Sequence, residues 1–288
     1  MGGAKRESAL KTGLRGGHTF SFLLGILMKM RNLVAAAVAA AITLGSFSAS
    51  ASHSWNTYHW ARTTASFNLQ TLDSTVPGGT NANWPSLLGT AASQWSQSNS
   101  LNLVFSPFTN TSQSRRKCSA VPGKIRVCNA AYGKNGWLGL ASINLDANGH
   151  ISQGTAKMND SYASVYAGDA NEAKHVMCQE VGHTFGLGHT SEDGSSQNTC
   201  MDYSSSPTST SPNQHDYDEL AIIYQHLDSY NSYSTTSAVT AAEEHSMAGE
   251  VPLGHLVHQG AFEETWVAPD GKGGLWINHV TLAPPDAE

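Results

Sequence analysis

The chain has 288 residues, 40% of them hydrophobic and 13% charged, and carries a formal net charge of −6. Without residues 1–51, 10 Lys/Arg face 21 Asp/Glu, a net charge of −11. That balance argues against nucleic acid or an anionic membrane as partner, since both are held largely by Lys/Arg contacts. The remaining length suffices for one large domain.

In residues 1–51, Lys29 and Arg31 precede an apolar run from Leu33 to Leu44, and Ala49-Ser50-Ala51 supplies a small-x-small cleavage pattern. The run is shorter than the roughly 20 residues of a spanning helix. It is therefore expected to be a secretory signal cleaved after Ala51, and the protein to be extracellular. Residues 1–27 are unusual for the start of such a signal and are expected to lie upstream of the true initiation site, at Met28 or Met30.

Residues 65–72 alternate apolar and polar side chains as a half-buried strand does. After a Pro-Gly-Gly turn, Trp84, Leu87, Leu88, Ala91, Ala92 and Trp95 recur at helical spacing, and 101–105 reads as a second strand. This order predicts a layered α/β domain with a mixed sheet. Arg115 to Lys117 reads as a solvated loop. Residues 124–131, 137–145 and 151–158 read as three strands, the last two joined by Asp146-Ala147-Asn148-Gly149. An edge strand in this region would be able to pair with a peptide.

Cys118, Cys128, Cys178 and Cys200 all lie in the exported part, where an even count predicts two disulfides. Of the three pairings, Cys118 with Cys128 closes a local loop, and Cys178 with Cys200 ties a helix to the segment after it.

That helix carries the chemistry. Residues 175–189 read HVMCQEVGHTFGLGH. With Asp169 or Asn171 as cap, Ala173, Met177, Val181 and Phe185 form an apolar side. Gln179 and His183 share a face, Glu180 stands beside them, and Gly186 is suited to a left-handed turn that swings His189 back. His175 lies two turns from His183, about 12 Å along the axis, too far for joint ligation; His215 reads as an ordinary first-turn residue of a later helix.

Glu180, His183, Gly186 and His189 match H-E-x-x-H-x-x-G-x-x-H at every functional position but the first, where Gln179 stands. The stretch resembles the metzincin zinc proteases, and the resemblance continues in Met201, similar to their Met-turn methionine, and in Tyr203, which completes the Met-x-Tyr arrangement of astacin-like and serralysin-like members. It implies a metzincin-like α/β (α+β) catalytic domain binding Zn2+. His183, His189 and Gln179 would be ligands, Glu180 the general base and acid, and Tyr203 a ligand or transition-state donor. An amide oxygen is a weaker zinc donor than imidazole, although some gametolysin-like metzincins carry Gln here.

The expected organisation is a signal region at 1–51, a catalytic domain at 52–228 closed by a helix that Asn213 caps and that bears Leu220, Ile223 and Leu227, a flexible linker at 229–250, and a β-hairpin-like extension at 251–288. The expected function is a secreted zinc metalloendopeptidase, monomeric, acting on protein or peptide substrates without nucleic acid or stable membrane association. Two other functions fit the sequence: an inactive pseudoprotease serving as a binding module, and a metal-dependent hydrolase of cell-wall bonds.

Overall fold

The computed structural model describes residues 53–236, 238–239 and 249–287. The signal region, and residues 240–248 of the expected linker, lie outside these. Among the described residues no helix is long and apolar enough to cross a membrane.

The fold is mixed α/β, built on one eight-stranded mixed sheet. The strands are β1 (Phe67–Ser74), β2 (Leu101–Pro107), β3 (Ile125–Ala130), β4 (Trp137–Leu145), β5 (Ile151–Asn159), β6 (His255–Gln259), β7 (Glu263–Pro269) and β8 (Leu275–Leu282). Their order is β2-β1-β3-β5-β4-β8-β7-β6. The β2, β1, β3 and β5 pairings are parallel, and those from β5 through β4, β8 and β7 to β6 are antiparallel. β3 is buried along its whole length, as a central parallel strand covered on both faces should be.

The helices are α1 (Trp84–Trp95), α2 (Ser112–Lys117), α3 (Ala163–Gly168), α4 (Glu172–His183) and α5 (Gln214–Ile223). In α1 the buried residues are Trp84, Leu88, Ala91, Ala92 and Trp95, the stripe that the apolar spacing predicts. α4 is not the amphipathic helix expected: Asn171 stands at its N-cap without a side-chain cap bond, and every residue from His175 to His183 is buried. The helix lies between α1 and the sheet, and Trp95 Nε1 donates to the Cys178 carbonyl at 3.0 Å.

Two smaller expectations change. Residues 115–117 belong to α2, which Thr111 caps by accepting from the Ser114 amide and which ends on Cys118 in the left-handed region at φ 44°. Its arginines bond backward: Arg115 Nε donates to Asn129 O and Arg116 Nη2 to Ala131 O. α5 has the expected Asn213 cap, in a full capping box with Asp216, but stops at Ile223 and leaves Leu227 58% exposed.

The largest change concerns residues 251–288. They are not a separate hairpin: β8 pairs with β4 from Trp137 to Leu145, and β7 and β6 continue the sheet beyond it. β3, β4 and β5 are all internal, so none of the three is an edge to which a peptide could add, and the edges are β2 and β6. The physical reason is that antiparallel edges leave a row of unpaired backbone groups, and the chain satisfies those of β4 with its own C-terminal strand. The start of the expected linker is also docked, since Ser232 N donates to Ala61 O and Ser234 N to Gly123 O.

Candidate metal centre

Both disulfides form as expected, Cys118 with Cys128 and Cys178 with Cys200. The second anchors α4 to the segment leading into Met201. Gly182 makes the close approach possible: a Cβ there would lie 2.7 Å from Met201 Sδ and 2.8 Å from Trp95 Cζ2. Gly186 has φ 103°, and a Cβ would come within 2.1 Å of the Tyr58 carbonyl oxygen. The backbone thus turns after His183 as expected, and the turn brings His189 back to it, with ring centroids 4.6 Å apart.

The third ring beside them is not the one expected. His279, on β8, stacks 4.1 Å from His183 and 4.5 Å from His189, centroid to centroid. One ligand nitrogen from each of the three lies within 4.8 Å of the other two.

Their hydrogen bonds assign the tautomers. His183 Nδ1 donates to the Leu187 carbonyl at 2.8 Å, an acceptor only, so Nε2 carries the lone pair. His279 Nε2 donates to Glu263 Oε2 at 2.7 Å, leaving Nδ1 as the lone-pair atom. His189 Nδ1 lies 2.9 Å from the Tyr203 hydroxyl and 3.5 Å from Glu263 Oε2; with the Tyr203 proton directed to Glu263, the hydroxyl accepts from His189. The three remaining nitrogens, His183 Nε2, His189 Nε2 and His279 Nδ1, are buried and have no hydrogen-bond partner. Buried polar atoms are seldom orphaned, and three bare imidazole nitrogens whose far nitrogens are all anchored form a donor set suited to a divalent metal. Burial, and next the neighbouring His279, hold His183 and His189 well below the usual histidine range. Both rings are therefore neutral, the form that ligates.

Gln179 sits elsewhere. Its Nε2 donates to the Asp202 carbonyl and its Oε1 accepts from Thr281 Oγ1, each at 2.9 Å. With both ends of the amide bonded, the position expected to ligate instead locks α4 to β8. His175 is also remote, donating from Nδ1 to Ser209 O at 2.7 Å. Tyr203 meets the site from behind: its hydroxyl lies 2.9 Å from His189 Nδ1 and 3.0 Å from His279 Nε2, the anchored nitrogens. It positions the rings.

Glu180 is wholly buried under the sheet. A Cβ on Gly139 of β4 would lie 2.3 Å from its Oε1, so glycine makes its room. Thr281 Oγ1 lies 2.6 Å from Glu180 Oε1 and 2.9 Å from Gln179 Oε1. The Thr281 hydroxyl thus faces both acceptors. Burial, opposed by Thr281 and the Ala141 amide, pushes Glu180 up to about 8.

The three histidines open on a cleft of about 290 Å³ whose wall includes Trp55, Glu192 and Glu263, but not Glu180. Burial pushes Glu263 up, yet the hydrogen bond and charge of His279 prevail and hold it below the usual carboxylate range.

Sequence reasoning missed His279 and Glu263 because no local spacing links a residue on α4 to one about a hundred positions later. The only signal was a histidine inside the apolar run of the C-terminal strand. The sequence matches no protein-family model, and no curated protein is similar enough to it to count as a relative.

Proposed function

We propose that the protein is a secreted zinc-dependent hydrolase of peptide bonds, with His183, His189 and His279 as the metal's protein ligands. The observation that carries this reading is the set of three bare, buried nitrogens facing one another at the floor of a cleft. Zinc in such a three-histidine site keeps a position for water, lowers its pKa toward ~7 and polarises a substrate carbonyl. The resemblance of 179–203 to the metzincins supplies the peptide-bond class, and the two disulfides fit an oxidising compartment.

Each residue then has a defined task. Glu263 and Tyr203 fix the tautomers and ring planes of His189 and His279, as carboxylate partners of metal-bound histidines do. The metzincin resemblance gives Glu180 as the general base and acid, although its carboxyl group lies outside the wall of the cleft. To accept a proton it must be ionised, and at neutral pH the metal-free chain holds it protonated; a nearby positive charge favours the carboxylate. Glu192, at the mouth of the cleft, is the rival base.

A second reading has its own observation. β8 occupies the flank of β4, and Glu180 and Gln179 are both tied to Thr281. A metal-binding module without proteolysis would look the same. Cleavage of casein by the zinc-loaded protein, abolished in Glu180→Gln and retained in Glu192→Gln, supports the peptidase with Glu180 as base. Loss in Glu192→Gln alone moves the base to the cleft mouth. An inert wild type with full zinc content leaves the binding module. A parallel digest of cell-wall material separates peptide from cell-wall bonds.

A further inference from the structure

A second cluster stands apart from the cleft, where the segment before β1, the β4–β5 turn and the segment after α5 meet. Three imidazole nitrogens surround one carboxylate oxygen. Asp228 Oδ1 lies 3.6 Å from His59 Nε2, 3.3 Å from His150 Nε2 and 3.6 Å from His226 Nε2. His59 Nε2 and His226 Nε2 are themselves 3.2 Å apart.

The far side of each partner is already committed. His59 Nδ1 donates to the Thr57 carbonyl at 2.7 Å, which leaves Nε2 as the lone-pair atom of the neutral ring. His150 Nδ1 lies 2.8 Å from the Tyr230 hydroxyl, whose own proton goes to Asp146 Oδ2. Tyr230 must therefore accept from His150, and His150 Nε2 is again the lone-pair atom. Asp228 Oδ2 accepts from the Arg62 amide at 2.8 Å, so Oδ1 is the oxygen turned inward. Two neutral rings thus aim acceptors at an anionic acceptor, an arrangement relieved by a His226 Nε2–H donated to His59 Nε2, by imidazolium, or by a cation held between the donors.

The distances favour a cation. Zinc with metal–ligand bonds of about 2.0–2.1 Å in a tetrahedron sets neighbouring ligand atoms about 3.3 Å apart; His59, His150 and Asp228 each offer a donor atom within 4.8 Å of the other two, and the His226 ring stands on the far side of His59, 3.2 Å from its Nε2 and 3.6 Å from Asp228 Oδ1. Nitrogen-rich coordination with one carboxylate suits zinc among the common divalent ions. The His150–Tyr230–Asp146 chain is the outer support that metal-bound histidines ordinarily have.

We propose that His59, His150 and Asp228, with the exposed His226 ring drawn in as the fourth ligand, form a second, structural zinc site. Four protein ligands close the coordination shell and leave no position for water, so the site holds the fold together and takes no part in hydrolysis. It joins three segments distant in sequence and fastens the chain after α5, where residues 226–230 reach back to the start of the domain.

The test titrates Zn2+ alone into the metal-stripped full chain, following bound metal per chain and the melting midpoint. It uses a His279→Ala background, so that the result is independent of the cleft. That background is expected to bind one equivalent and to melt higher when loaded. Adding His226→Ala removes the equivalent and the zinc-dependent rise; this ring is 53% exposed, so its truncation leaves the metal-free midpoint in place. Tyr230→Phe keeps the site but weakens zinc binding by about 10–100-fold. One equivalent retained in His226→Ala with undiminished affinity, or none bound in the His279→Ala background, overturns the proposal.

Discussion

The two histidine clusters use the same side chain to opposite ends. In the cleft, three rings present bare nitrogens and no carboxylate completes the set, although Glu263 is close enough to bond two of the rings from outside. In the outer cluster Asp228 stands among the rings, its Oδ1 within 3.6 Å of a nitrogen of each. The number of protein donors decides which metal stays reactive: three leave room for water, four exclude it. The placement of the carboxylate, behind the imidazole or beside it, is therefore what separates the site read as catalytic from the one read as structural.

Removing a ring from the open site gives the largest effect. His279→Ala is expected to lose casein hydrolysis entirely and one of two zinc equivalents, read by activity assay and metal analysis; retention of both equivalents would show that β8 contributes no ligand.

Next in size is the pH dependence that Glu180 imposes on the metal-free chain. Its folded pKa of about 8 stands above the ordinary 4.5, so the folded state holds a proton that the unfolded state has released. Stability from this group is complete below pH 4.5 and is lost as pH rises toward 8, a change on the order of 5 kcal/mol at about 1.4 kcal/mol per pKa unit. Denaturant unfolding from pH 5 to 8 will show the decline, and Glu180→Gln will flatten it; an unchanged slope in the variant would assign it to another group.

Smaller effects come from the residues that aim the rings. Tyr203→Phe removes the hydroxyl shared by His189 and His279 and is expected to weaken zinc binding in the cleft by about 10–100-fold, while leaving the outer cluster untouched. A direct ligand would show a change in coordination number in a cobalt-substituted spectrum, which Tyr203→Phe should not.

Gln179→His has the smallest expected effect on metal. Restoring the metzincin-like residue should change zinc affinity by less than about threefold, because His279 already completes the set. Its cost falls on stability, since it breaks the bonds to Asp202 O and Thr281 that lie buried between α4 and β8.

These outcomes trace what was legible in the chain. Helical spacing located α1, which buries the stripe its period sets, and the spacing of the motif located α4; alternation located β1, and β3, β4 and β5 were legible as strand-like segments between turns. The short helix α2 has no apolar period in its six residues, SQSRRK, and is held by its cap and by arginine bonds to β3. The strands of the C-terminal segment were visible as apolar runs, but their neighbour was not: pairing of β8 with β4 joins residues about 140 positions apart. The metal centre divided in the same way. His183, Gly186 and His189 belong to one helix and turn, where spacing fixes geometry. His279, and with it the fate of Gln179, depended on a sheet pairing that no local pattern encodes. The outer cluster was hidden for the same reason, its four donors lying on three separate segments.

The central claim, that β8 supplies the third ligand, is tested most directly by zinc-edge anomalous diffraction from crystals of the zinc-loaded protein. The account predicts an anomalous peak bonded to His183 Nε2, His189 Nε2 and His279 Nδ1, with the Gln179 amide still bonded to Asp202 and Thr281. A peak bonded to Gln179 and not to His279, or no peak among the three rings, would contradict it.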